Sequence, residues 1–296
     1  MTTGTDKPGP GAEPTRFGLE AQIKRNPHGD FGKVQRERPP FEKDVQFHYH
    51  QTVDVDWKVG SGATDDEWKT HKKIELDPYG PDRNPVDNYK MLISAVTPRP
   101  IGFVSTVSKD GVRNLAPFSY FTMVNHDPPI FCLGFSKGTG APKDTAANIL
   151  ETKELTINII SEWFVEAANY CSTNAPTDVD EWKLSGLTPL ASSKVKPEHV
   201  AESAFSVEAK LIHSHEWTSK VTGNPSGTLV LVEGVNFHVR EDVINEQRNI
   251  IDPVKLQSVS RLGGITYGRT TSGYELLRPD FDSESKKPEF EEALSK

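Results

Sequence analysis

The chain has 296 residues, 35% of them hydrophobic, and a formal net charge of −8 at pH 7. This length can bury a sizeable core, and the acidic balance excludes the basic surface that nucleic acid or anionic lipid would need. No apolar run approaches the roughly 20 residues that span a bilayer, no secretory signal is visible, and two cysteines give no disulfide framework, so we expect a cytoplasmic protein.

The two ends of the chain differ in composition from its middle. Residues 1–45 are rich in Pro and Gly and poor in large apolar side chains, which predicts a disordered or extended tail. Residues 46–87 contain aromatic residues without periodicity, so we expect an N-terminal arm that packs on the main domain or on a partner subunit. The main domain is expected over residues 88–281, followed by a charged C-terminal tail at 282–296.

Within the main domain, the hydrophobic pattern predicts short strands with interspersed helices. The expected strands are 101–107, 112–117, 119–124, 130–135, 155–160, 206–214 and 228–239, and the expected helices are 89–95, 143–152 and 162–172. Asp110-Gly111 between the first two strands is typical of a tight hairpin. Because the elements do not alternate as βαβ units and no GxGxxG follows a strand, the pattern favours an α+β barrel over a dinucleotide-binding fold.

Polar residues interrupt the first strands. Ser105, Thr106, Asn114 and Ser119 stand at positions where packing alone would favour apolar side chains. Hydroxyl groups, exposed backbone and a lysine further along the chain suit a phosphorylated planar ligand.

Residues 138–145 resemble a phosphate-binding P-loop in outline. A proline replaces the second glycine and Asp144 replaces the Ser or Thr after the lysine, which excludes a nucleotide triphosphatase. The remaining group, Ser136, Lys143 and Thr145, leads into a predicted helix N-terminus, where free N–H groups favour a phosphate. The alternative is that Asp144 or Thr145 only caps the helix and Lys143 is solvated; spacing alone supports both equally.

Two histidine pairs, His126 and one glycine-rich segment are further candidates for a site. His48 with His50, and His213 with His215, lack a third ligand, so structural or solvated roles are favoured and no metal site is predicted. His126, in a turn before two prolines, is a weaker candidate for a place near a ligand. Residues 260–267 predict either a tight turn that presents Arg261 and Tyr267 or a plain loop.

Taken together, residues 89–281 resemble the flavin reductase-like proteins, which bind FMN on a split β-barrel, and in particular their flavoprotein-oxygenase-like branch. The motifs that carry the resemblance occur in family order: Pro98-Arg99-Pro100-Ile101, Val104-Ser105-Thr106, Asn114-Leu115-Ala116-Pro117-Phe118-Ser119, Asp127-Pro128-Pro129, Lys143-Asp144-Thr145 with Asn148, and Arg261-Leu262-Gly263-Gly264. The segment before residue 46 lies outside the resemblance.

The resemblance implies an α+β fold, an antiparallel FMN-binding split β-barrel with flanking helices and a long N-terminal arm. It also implies a homodimer with FMN held noncovalently near the subunit interface. Backbone groups of residues 114–119 would contact the isoalloxazine. The ribityl chain and phosphate would be held by Ser105, Thr106, Lys143 and Thr145. The implied cofactor-binding residues are Arg99, Ser105, Thr106, Asn114, Leu115, Ala116, Pro117, Phe118, Ser119, Ser136, Lys143, Asp144, Thr145, Asn148, Arg261 and Tyr267.

The activity that the resemblance implies is FMN-dependent oxidoreduction. The protein would be an NAD(P)H-dependent flavin reductase, with a monooxygenase component as a partner, or would use FMN to reduce or oxygenate a small organic substrate. A non-catalytic FMN carrier or sensor is the main alternative, and a scaffold that docks through its aromatic arm is a weaker one. No catalytic side chain follows from the sequence, because hydride chemistry would belong to the flavin.

Overall fold

The computed structural model describes residue 23, residues 26–137 and residues 143–295, so residues 138–142 of the P-loop-like segment 138–145 lie outside the described residues. The α-helices are α1 (Phe31–Glu37), α2 (Pro85–Ala95), α3 (Asp144–Thr152), α4 (Val165–Tyr170), α5 (Glu181–Ser185), α6 (Pro253–Leu256), α7 (Phe281–Glu284) and α8 (Pro288–Leu294). The strands are β1 (His48–Tyr49), β2 (Gly102–Val107), β3 (Arg113–Phe118), β4 (Phe121–His126), β5 (Pro129–Ser136), β6 (Glu154–Ile159), β7 (Pro189–Leu190), β8 (His199–Val200), β9 (Phe205–Thr218), β10 (Pro225–Val239), β11 (Val259–Arg261), β12 (Tyr267–Arg269) and β13 (Ser272–Gly273).

Seven antiparallel strands form the central sheet, in the order β3-β2-β6-β9-β10-β5-β4. The sheet curls, but its edge strands β3 and β4 do not pair with each other. The barrel is therefore open, and the predicted fold class, an antiparallel split barrel with flanking helices, is confirmed.

The barrel interior is a packed apolar core into which α3 inserts. Its buried members are Val104, Phe121, Phe131, Leu133, Phe135, Ala146, Ile149, Leu155, Ile157, Val207, Ala209, Val230 and Val232. Strand β2 approaches β4 closely across this interior: a Cβ atom at Gly102 would lie 3.0 Å from Phe121 Cγ. Glycine is thus required where β2 starts.

A second apolar core covers the outer face of β2 and β3. There Phe103 and Leu115 pack against helices α4 and α5, with Phe164 and Trp182 among the buried residues. The short helix α5 was not predicted. The expected helix 162–172 is divided into a 3-10 turn, Glu162–Phe164, and the six-residue α4.

Several element boundaries differ from the sequence prediction. Helix α2 begins at Pro85 rather than residue 89, because the Asn84 side chain caps it and proline suits the first helical position. The strand predicted to start at residue 119 begins at Phe121. Strands β9 and β10 are longer than predicted, with 14 and 15 residues.

The N-terminal arm docks at the end of the domain where the C-terminal strands lie. Strand β1 pairs in parallel with β13. Just before the arm, in the expected tail, the Phe41 ring centroid lies 4.2 Å from the Arg269 guanidinium. Further along the arm, Lys220 lies 4.9 Å from the Tyr79 ring centroid. Helix α1 falls within the expected tail, and α8 and most of α7 fall within the expected C-terminal tail. Among the described residues, no helix combines the length and apolarity needed to cross a membrane.

Candidate functional site

The outer edge of β3 is the starting point of the candidate site, because β3 has a strand neighbour on one side only. The Leu115 N–H points away from β2 and donates to Glu181 Oε2 at 3.2 Å. Backbone groups alternate in direction along a strand, so those of Pro117 also face the open edge. Proline has no N–H, and the edge therefore offers mainly carbonyl acceptors beyond Leu115.

Glu181, on the unpredicted helix α5, closes the first half of this edge. Its carboxyl group is buried, and burial raises its pKa, opposed by the hydrogen bond from the Leu115 N–H. The neighbouring Asp180 caps α5 and pairs with Arg113 at 2.6 Å. These contacts fix α5 against β3 and leave residues 116–119, which are half-buried, as the accessible part of the edge.

Four of the predicted site residues meet in one cluster, which we call the amide–hydroxyl network: Thr106, Asn114, Thr145 and Asn148. The Asn114 side-chain amide donates to Thr106 Oγ1 at 3.1 Å and to Thr145 Oγ1 at 2.8 Å. The Asn148 amide donates to the same Thr106 oxygen at 3.0 Å. All four side chains are buried, so the network joins α3 to β2 and β3.

This arrangement changes how the predicted polar residues can contact a ligand. The Thr106 hydroxyl is fully buried and already accepts two hydrogen bonds. Ser105 is its neighbour in the strand and therefore lies on the opposite face of the sheet. The two hydroxyls therefore project to opposite faces of the sheet, and the implied contacts of Ser105 and Thr106 with the ribityl chain and phosphate stay a prediction.

The N-terminus of α3 lies at one end of the network. The cap residue is Lys143, whose side chain makes no capping hydrogen bond, and the buried Thr145 is inside the helix. The alternative in which Asp144 or Thr145 is the N-cap is therefore wrong. Ser136 is exposed at the end of β5, on the other side of the undescribed loop from Lys143.

Arg99 and Arg261, which we call the arginine pair, lie near the other end of β3. Their backbones exchange two hydrogen bonds of 3.0 Å. The Arg99 guanidinium donates to the Ile93 carbonyl, to the Val96 carbonyl at 2.8 Å and to Ser119 Oγ at 3.3 Å. Burial lowers the Arg99 pKa, and the nearby Arg261 charge lowers it further.

An aromatic residue holds the second arginine in place. The Arg261 guanidinium lies 4.4 Å from the Tyr267 ring centroid and donates to the Gly264 carbonyl. The Tyr267 hydroxyl and Asn169 Oδ1 are 2.8 Å apart. The segment 260–267 is therefore a turn between β11 and β12 that presents both side chains, as one of the two predicted readings had it.

The structure adds residues that the sequence did not single out. Glu181 and Asn169 lie on short helices whose patterns carry no signal for a ligand. Tyr120 lies at the β3–β4 turn, and burial raises its pKa, opposed by the nearby Arg99 charge. The paired histidines at 48, 50, 213 and 215 are exposed, and the described residues contain no cluster of three potential metal ligands.

An open antiparallel barrel whose edge strand lies beside a helix N-terminus is a split barrel. The family model described as flavin reductase like domain matches residues 94–253. The chain belongs to the flavin reductase-like family, which is a flavin-binding family.

Several known proteins are similar to this chain in sequence or in fold. An uncharacterized protein of Halalkalibacterium halodurans is 38% identical, over 65% of this chain and 91% of its own. The crystal structure of nitrilotriacetate monooxygenase component B from Bacillus cereus matches with 32% identity and a TM-score of 0.65, covering 70% of this chain and 100% of that one. The Pseudomonas fluorescens 2-nitrobenzoate 2-nitroreductase NbaA matches with 27% identity and a TM-score of 0.59, covering 67% and 93%.

Proposed function

We propose that the protein is an FMN-dependent oxidoreductase that takes its electrons from a reduced nicotinamide. The observation that carries the proposal is the accessible edge of β3 next to the N-terminus of α3, in a chain of the flavin reductase-like family. The sheet does not need the outer edge of β3 for its pairing, since β3 is already paired with β2 along its other edge. The edge can therefore serve a planar ligand.

The residues present fit FMN in three respects. The pyrimidine part of an isoalloxazine has an N–H donor, which the carbonyl groups at the β3 edge can accept. The phosphate is close to doubly charged at neutral pH and suits the α3 N-terminus with Lys143. No second phosphate-binding loop is visible for the adenylate half of FAD, which favours FMN. Bound FMN would supply hydride acceptance and donation, while the protein orients it and excludes water.

The role of the network in this proposal is to position the phosphate-binding helix. Its hydrogen bonds fix the first turn of α3 against β2 and β3, so that Lys143 and the helix N-terminus lie at a set place relative to the strand edge. A pre-positioned site of this kind loses less entropy on binding.

The neighbours suggest two reactions. By analogy with the monooxygenase component B, the protein would reduce flavin for a separate oxygenase component. By analogy with the nitroreductase, it would reduce a small organic substrate on its own FMN. Both reactions begin with electron transfer from the nicotinamide, so one experiment covers both.

We also propose a homodimer. Edge strand β4 exposes Met123 and Val124, which are 61% and 52% accessible, and proteins normally cover such edges. Strand β1 of the arm pairs with β13, which follows β12 and its Tyr267 in the chain, so the arm can shape the entrance to the site. Light scattering should give the mass of two 32.9 kDa chains.

Stopped-flow mixing of the purified protein with NADH and with NADPH tests the proposal. The protein should purify yellow, release FMN on acid treatment, and lose its flavin absorbance rapidly with at least one of the two nicotinamides. A yellow protein that neither nicotinamide reduces would be a carrier or sensor. A colourless protein that takes up no added FMN would refute the proposal.

A further inference from the structure

The arginine pair places two positive charges side by side without a compensating carboxylate. The Arg99 side chain is buried, with 7% of its surface exposed. Among the residues that the structure describes, no Asp or Glu forms an ion pair with Arg99 or Arg261, although the chain as a whole has a net charge of −8. Arg113, Arg240 and Arg269, by contrast, each form an ion pair with a carboxylate.

Both guanidinium groups keep donors that no described acceptor uses. A guanidinium has five N–H groups. Arg99 uses its Nε and Nη1 atoms, and no hydrogen bond from its Nη2 is present within the described residues. Arg261 uses only Nη2, toward the Gly264 carbonyl, so its Nε and Nη1 are left for a ligand in the same part of the chain.

The two arginines project from the same side of one backbone bridge. Arg99 and Arg261 are directly opposite in an antiparallel bridge, and residues so paired project to the same face. Tyr267 fixes the plane of the Arg261 guanidinium, and Ser119 and the Ile93 carbonyl fix that of Arg99. Tyr120 and Tyr89 lie close enough to Arg99 to influence its pKa, so aromatic rings adjoin the pair.

A buried cation without a counter-charge is costly, and proteins pair buried charges. We infer that the arginine pair binds the oxyanionic group of the second reactant, either the carboxylate of an organic substrate or a phosphate of the nicotinamide dinucleotide. This inference rests on the proposed function. It reassigns Arg99, Arg261 and Tyr267 from the cofactor to the molecule that reacts with it.

The cofactor phosphate does not compete for this place. Asn114, in the network beside α3, and Ser119, which follows β3 and lies beside Arg99, are five residues apart, or up to about 17 Å at the rise of an extended strand. A phosphate held at α3 is therefore remote from the arginine pair.

Isothermal titration calorimetry of the protein as purified, at fixed ionic strength, tests the inference with two probes. Benzoate represents a planar carboxylate, and 2′,5′-ADP represents the phosphates of the dinucleotide. One of the probes should bind, and Arg261→Gln should weaken it by about tenfold or more, since charged hydrogen bonds are lost. Arg261→Lys should recover part of the affinity, because it keeps the charge but not the planar fork.

Two comparisons make the result specific. Arg278→Gln removes an equal charge from an exposed position and should leave probe binding unchanged. The FMN dissociation constant should be the same in Arg261→Gln as in the wild type, within about twofold.

Three outcomes would overturn the inference. The first is that neither probe binds the wild type, and the second is that Arg261→Gln and Arg278→Gln weaken binding equally. The third is that Arg261→Gln loses FMN, which would return the arginine pair to the cofactor. Because the probes can also be titrated into protein without flavin, failure of this inference is distinguishable from failure to bind FMN.

Discussion

The amide–hydroxyl network, which is buried, and the arginine pair, of which Arg99 is buried and Arg261 half-buried, lie near opposite ends of β3, yet they differ in what they leave unsatisfied. In the network, neutral groups are hydrogen-bonded to one another: Asn114 donates twice and Thr106 accepts twice. In the arginine pair, two like charges adjoin each other and several donors have no acceptor among the described residues.

This difference separates stability from binding. Low dielectric strengthens a satisfied network and makes an unsatisfied group expensive. The network can therefore stabilise the fold without any ligand, whereas the arginine pair gains most when an anion arrives. Residues that belong to one set of sequence motifs thus have distinct physical roles.

The largest expected effect on stability comes from a change in the amide–hydroxyl network. Thr106→Val removes the hydroxyl that accepts from both Asn114 and Asn148, leaving two buried amide donors without that partner. At about 1–3 kcal/mol for each orphaned group, we expect a loss near 3 kcal/mol in the free energy of unfolding. Urea denaturation followed by fluorescence measures it.

Thr122→Val is the matched control for this substitution, because Thr122 is exposed on β4. It should change stability by less than about 0.5 kcal/mol. Equal effects from the two variants would mean that the network does not stabilise the fold.

Much of the fold was predictable from the sequence, because β-branched runs and the Asp110-Gly111 turn are local signals. The N-terminus of α3 was predicted to within one residue. Helix α5 was missed because five residues are too short to show a helical period. Its capping residue Asp180 and the following glycine at its end are signals that could have found it.

The candidate site was predictable as a set of residues but not as two clusters. Thr106 and Asn114 become partners only through the register of β2 with β3, which a list of polar positions does not contain. Arg99 and Arg261 are far apart in the sequence and meet only through a bridge formed after folding. Long-range pairing of this kind leaves no periodic signal.

The second prediction concerns the binding of the cofactor phosphate at the N-terminus of α3. Lys143→Ala should weaken FMN binding by about 1.5–3 kcal/mol, the range for a hydrogen bond to a charged group. Fluorescence titration at fixed ionic strength measures the change. Lys255→Ala, an exposed lysine on α6, serves as the control and should bind FMN normally.

If Lys143→Ala binds FMN as tightly as the wild type, the α3 end does not hold the phosphate. Lys143 would then be a solvated surface residue.

The third prediction concerns the arm, which docks on the arginine side of the molecule. Deleting residues 1–80 removes the pairing of β1 with β13 and the contact of Tyr79 with Lys220. A loss of about 1–2 kcal/mol corresponds to a fall of about 2–8 °C in melting temperature for a domain of this size. Deleting only residues 1–45 should lower the melting temperature less, because the described contacts of this segment, such as that of Phe41, are exposed. Differential scanning calorimetry of both truncations compares them, and equal melting temperatures would make the arm a linker.

The smallest expected effect is at Glu181, which lies between the two clusters on the β3 edge. Burial raises its pKa, so the folded protein disfavours the carboxylate relative to the unfolded chain. This contribution to stability is therefore fully present below the unfolded pKa of about 4.3 and is lost as pH rises through the folded value. Glu181→Gln keeps an acceptor for the Leu115 N–H but does not titrate, so its stability relative to the wild type should increase between pH 4 and pH 7.

Urea denaturation at several pH values measures this difference, with Glu166→Gln, an exposed carboxylate on α4, as the control. The control variant should follow the wild-type curve. If Glu181→Gln is instead destabilised by the same amount at every pH, the hydrogen bond to the Leu115 N–H outweighs the cost of burying the charge. Glu181 would then close the strand edge as a fixed anion, and the accessible part of that edge would adjoin a permanent negative charge.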